Sequence, residues 1–178
     1  MDQFAEFACE QKLVTIYRDD IDPNSIQGFV LGYSNDLVLI QDASDFQLDG
    51  LMVLRTADIT DIRCNTTDEF YKQLLIDEQL FQKVSFGSSF DRQYRLMILE
   101  DESAEPQQFL IGTVEKITTQ SVWLLYFSSV GIWDHKPTRL LFRDITKCEV
   151  ATNYLNVYER HFDRHMSQPL GQHGDCLS

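Results

Sequence analysis

Basic residues are scarce in this chain. Fifteen Lys and Arg stand against 28 Asp and Glu, a formal net charge of −13 over 178 residues. Nucleic-acid binders take most of their affinity from neutralising phosphates with Lys and Arg, so the balance excludes DNA as an expected partner and disfavours RNA. A local basic groove could still hold a strand, yet no basic run occurs. Long apolar runs are also missing: none approaches the roughly 18 residues of a membrane helix. Residues 1–10 are acidic where a secretory leader would be basic. A cytoplasmic protein without membrane contact is expected. The four cysteines, Cys9, Cys64, Cys148 and Cys176, form no C-x-x-C pair, which excludes a zinc ribbon or dithiol redox motif and leaves free thiols in a reducing compartment.

Catalytic signatures are absent as well. There is no G-x-S-x-G nucleophile elbow and no phosphate-cradling glycine loop. The acidic stretches 19–22 and 100–105 lack the alternating register of a calcium loop and read as solvated turns. His161 and His165 have the i, i+4 spacing that can place two imidazoles on one metal, but His173 and Cys176 could join them only if the tail folded back, and a solvated helix end is the expectation. No metal, no cofactor and no enzymatic activity are expected.

The positive signal is repetition. Leu54, Asp58, Ile59, Thr60 and Thr66 recur as Leu140, Asp144, Ile145, Thr146 and Thr152 at an offset of 86; Gly28, Val30 and Val38 recur as Gly112, Val114 and Val122 at an offset of 84. Such repetition bears on architecture before any other signal. With 43 % hydrophobic and 24 % charged residues the composition is that of a globular chain. The expected units are residues 1–83 and 93–166, joined by a linker at 84–92 and followed by a flexible tail at 167–178. Units this small are expected to lean on each other or on a second copy.

Strand patterns fall at residues 12–17, 26–33, 37–41, 51–54 and 59–64, with a polar turn at 18–25 and a hairpin at Ser34-Asn35-Asp36. Thr66 and Glu69 have capping-box spacing, and Phe70, Tyr71, Leu74, Leu75 and Phe81 share one face of the helix that follows. The second unit repeats this order with strands at 94–99, 109–117, 121–127, 139–142 and 145–150. Thr152 then caps a helix carrying Tyr154, Leu155, Tyr158 and Phe162 on one face. Trp123, inside a strand run, is expected in the core.

Residues 28–43, GFVLGYSNDLVLIQDA, and 50–62, GLMVLRTADITDI, resemble the two halves of an Sm-like domain. The resemblance spans most of 12–64 and, more faintly, 94–150. It implies a mainly β protein with α: two small bent five-stranded Sm-like barrels, each followed by an α-helix, with Gly28 and Gly32 easing the bend of the second strand. It also implies RNA-contacting positions, for which Asn35, Asp36 and Arg55 are the candidates. The chain departs from the pattern at Thr56, which stands where a glycine follows the arginine, and at Leu141, where Arg55 would repeat. Sm-like barrels associate edge to edge through their fourth and fifth strands, so the resemblance implies that the two units could pair with each other or extend to a ring. The expected function is therefore a noncatalytic assembly or adaptor protein with a protein partner or self-association; weak binding of single-stranded RNA or a nucleotide through the first unit is the alternative. Trp133, in the turn at 129–137, is a candidate interface anchor, weighed against packing over the mouth of its own barrel.

Overall fold

The computed structural model describes residues 3–87 and 94–166. The remainder of the expected linker and the whole expected tail, with His173 and Cys176, lie outside the described residues. The first half carries α1 (Gln3–Cys9), β1 (Leu13–Arg18), β2 (Asp22–Tyr33), β3 (Leu37–Asp42), β4 (Leu51–Arg55), β5 (Asp61–Arg63) and α2 (Thr66–Asp77). The second carries β6 (Met97–Asp101), β7 (Gln108–Ile117), β8 (Ser121–Tyr126), β9 (Thr138–Leu141), β10 (Lys147–Val150) and α3 (Asn153–Met166).

Two closed five-stranded barrels do not form. The described strands make a single open ten-stranded antiparallel sheet in the order β5-β1-β2-β3-β4-β10-β6-β7-β8-β9. Backbone groups along a strand edge need a partner, and β4 finds it in the other half. Leu51, Met52, Val53 and Leu54 lie opposite Val150, Glu149, Cys148 and Lys147 of β10. β5 pairs with β1 rather than returning to β4, so the first half stays open.

The two halves match in register. Val14 faces Gly28 as Met97 faces Gly112, and Ile16 faces Ile62 as Leu99 faces Cys148. Both long hairpins slip at the same place, between Val30 and Gly32 and between Val114 and Lys116.

Side chains alternate across a sheet, so two rows run through the β4–β10 junction. One passes Leu39, Val53, Cys148 and Leu99; the other passes Ile40, Met52, Glu149 and Ile98. In the first half the Ile40 face holds a core of Val14, Ile16, Val30 and Val38 that also packs Phe4, Phe7 and Ala8 of α1. The Leu39 face is covered by α2 and the segment after it, with Phe81 and Phe86 edge-on to buried Phe29. The faces exchange roles in the second half: α3 covers the Ile98 face through Leu155 and Phe162, and the Leu99 face gathers Val122, Leu124 and Leu140.

Local details differ from the sequence expectation. Asn65, not Thr66, caps α2, and Asp68, not Glu69, accepts the Asn65 N–H at 2.8 Å. Asp68 is buried because it also accepts from Thr15 Oγ1 at 2.6 Å and Gln27 Nε2 at 3.1 Å, tying α2 to the sheet. Phe70 stays exposed, and Phe81 lies in a 3-10 turn beyond α2. Thr152 caps α3 as expected, its hydroxyl accepting the Leu155 N–H at 3.1 Å. The polar stretch from Asp22 to Ser25 extends β2 rather than forming a turn. Trp123 is half-buried. Among the described residues no helix is long and apolar enough to cross a membrane.

Candidate functional site

The junction of the halves is held by buried charge. Arg18 ends β1, and its Nη1 and Nη2 donate to Oε2 and Oε1 of Glu102 at 2.6 and 2.9 Å. Their side chains are 1 % and 7 % exposed. Glu102 lies just past β6, in an acidic stretch expected to be a solvated turn; the partner that allows its burial comes from the other half. Thr146 Oγ1 donates to Glu102 Oε2 at 2.7 Å. Lys147 stands 2.9 Å from Glu100, 3.2 Å from Glu149 and 3.5 Å from Glu102. Arg18 Nε is buried without a partner among the described residues.

Burial opposes both ions of the central pair, but the paired hydrogen bonds and opposite charge outweigh it. The Glu102 carboxyl is held below the usual carboxylate range and the Arg18 guanidinium above its ordinary value. At Glu100 burial wins and pushes the carboxyl up, even beside Lys147. Two further contacts cross the junction. Arg55 Nη1 donates to the Arg143 carbonyl, and Asp49 accepts the Asn153 N–H at 2.5 Å where α3 begins.

Beside the junction a cavity of about 670 Å³ opens on the Leu99 face, within the size range of ligand sites. Its floor includes Val53, Leu99 and Cys148, and β7 contributes Val114 and Ile117. Burial, with Glu149 adjoining, pushes the Cys148 thiol up to about 12, which keeps it protonated and a weak nucleophile. Leu37, Ile117 and Phe142 line the same cavity yet stay exposed.

Asn35, Asp36 and Arg55 all line this cavity. The Thr56 N–H donates to the Asp36 carbonyl at 2.9 Å, and Thr56 Oγ1 to the Asn35 carbonyl at 2.6 Å, so their loop is pinned to the end of β4. Arg55 Nε donates to Asp58 at 2.6 Å. Trp133 lies elsewhere, half-buried with its ring 4.9 Å from Phe127 and 5.0 Å from Phe162, and its indole N–H is buried without a partner among the described residues. The His161 and His165 rings are exposed and 4.5 Å apart; among the described residues no group of three metal-ligating side chains includes them. Sequence reasoning missed Arg18, Glu102 and Lys147. One signal was available: Arg18 and Glu102 carry opposite charge at a separation of 84, the offset of the upstream repeat.

Comparison of the chain with protein-family models, curated proteins and solved structures finds no match.

Proposed function

We propose that this chain is a noncatalytic, cytoplasmic assembly or adaptor protein derived from a duplicated Sm-like unit, which joins copies of itself or a protein partner through its two sheet edges. The observation that carries the reading is the polarity of the junction. β4, the fourth strand of one half, pairs with β10, the fifth strand of the other. The counterparts of those two strands, β9 and β5, stand at the ends of the sheet. A contact between unlike surfaces of this kind can repeat head to tail between copies, closing a ring if the rotation allows. Backbone hydrogen bonds would supply the affinity.

Light scattering on a size-exclusion column tests this. The expected result is a concentration-dependent species at a whole-number multiple of 20.7 kDa. Phe142 N–H donates to Gln120, so in the alternating antiparallel pattern Arg139 directs its N–H away from β8. Arg139→Pro removes that donor without breaking the β8 ladder, and the variant is expected at monomer mass. A wild-type chain that stays monomeric at every concentration overturns self-assembly.

The alternative, weak binding of single-stranded RNA or a nucleotide, draws on the shared position of Asn35, Asp36 and Arg55 at one cavity. Two nitrogens of Arg55 are already engaged, and the acidic chain opposes phosphate. A mass shift with a short uridine-rich RNA that fades with salt and is lost in Arg55→Ala would favour it.

A further inference from the structure

The two halves match in register, and the first carries a helix, α1, that no described residue of the second repeats. In the first half Val14, Ile16, Val30 and Val38 are at most 1 % exposed, with Phe4, Phe7 and Ala8 of α1 packed against their cluster. Phe4 also stacks on Tyr33 at 6.4 Å. The matching register assigns Met97, Leu99, Val114 and Val122 as their counterparts, and Ile117 as the counterpart of Tyr33. All five counterparts line the cavity of about 670 Å³. No element among the described residues does for them what α1 does in the first half, and Ile117 is 67 % exposed.

We propose that this cavity receives a short amphipathic helix of a partner protein, presenting two aromatic side chains one turn apart as α1 presents Phe4 and Phe7. Several features fix this occupant. The site is an internal copy of a face on which the fold already seats such a helix. Leu37, Ile117 and Phe142 form an exposed apolar margin around it, as expected of a groove that takes the apolar face of a helix. The cavity also adjoins the β4–β10 junction of the two halves, since Val53 and Cys148 belong to both the floor and that ladder. No residue of β5 or β9 lines the site, although Phe142 just past β9 stands at its margin, so the peptide titration and the mass of the assembled chain are separate readouts.

The test titrates the full chain, with isotope-labelled Met, Ile and Val methyl groups, with a synthetic peptide of residues 1–11, MDQFAEFACEQ. The expected result is saturable shifts at Met97, Val114, Ile117 and Ile145. Affinity should fall about tenfold or more when both peptide phenylalanines become Ala. Ile117→Asp, at an exposed position that folding tolerates, should weaken binding to a similar degree. No shifts at about 1 mM peptide would overturn the proposal. So would shifts confined to Val14, Ile16 and Val30, which would mean exchange with α1 in the first half. Shifts at the cavity methyls produced by a uridine-rich RNA and not by the peptide would overturn it in favour of a nucleic-acid site.

Discussion

Arg18→Ala is expected to lower the unfolding free energy by about 3–5 kcal/mol, the range for breaking a buried ion pair from one side. The loss does not come from the attraction alone. Glu102 would keep its hydrogen bond from Thr146 and a 3.5 Å approach from Lys147, but its carboxylate would remain buried without the guanidinium that offsets desolvation. Replacing both partners by apolar residues, Arg18→Met with Glu102→Leu, removes both charges and should recover most of the loss. Urea unfolding of the wild type, Arg18→Met, Glu102→Leu and the double variant reads this directly: near-additive losses in the double variant would contradict the coupling. The pH dependence follows from the depressed Glu102 carboxyl. A carboxylate with a lowered folded pKa contributes stability that is fully present above its unfolded value of about 4.3 and disappears as pH falls through the folded value. The gap between wild type and Arg18→Ala should therefore narrow in acid. Glu100, raised by burial, acts with the opposite sign and softens the acid loss of the wild type.

What could be read from the sequence was whatever local pattern determines. The offsets of 84 and 86 placed Gly28 opposite Gly112 and Ile59 opposite Ile145, and the structure gives these pairs equivalent register and cluster positions. α3 and its Thr152 cap were likewise readable, because a cap and an apolar stripe are properties of one short segment. The pairing of β4 with β10 was reachable only through the family resemblance, whose members associate through their fourth and fifth strands. Nothing in Leu51–Arg55 distinguishes an edge that closes on its own half from one that pairs with another, so two barrels were expected where one open sheet forms. Glu102 shows the same limit: a glutamate among Glu100, Asp101 and Glu105 reads as solvated until a guanidinium from 84 residues away is seen to meet it. α1 escaped because it is only seven residues long; its one sequence signal, Phe4, Phe7 and Ala8 at helical spacing, acquires meaning only beside the face it covers. Asn35, Asp36 and Arg55 were found through a family resemblance and do share one cavity wall, but the apolar residues that make the rest of that cavity were indistinguishable from core.

The glycines provide the second large effect. A Cβ on Gly112 would sit 2.0 Å from the Leu125 carbonyl oxygen and 2.8 Å from its carbon. These are backbone atoms of the paired strand β8, with no flexible side chain to move aside. Gly28, its counterpart, would place a Cβ 2.4 Å from the Gln41 oxygen. Gly32 differs, with nothing within 4 Å of its added Cβ. Gly112→Ala is therefore expected to destabilise by about 4 kcal/mol or more, in the tail of single substitutions where strain replaces packing. Gly32→Ala should be neutral or stabilising by up to about 1 kcal/mol, because alanine restricts the unfolded chain at a site the native backbone tolerates. Thermal and urea unfolding of the two variants side by side reads the contrast. Equal losses would mean that glycine is required in both strands for bending, as the sequence pattern alone suggests; a loss confined to Gly112, with Gly28→Ala behaving alike, assigns the requirement to the close approach of two backbones that both halves share.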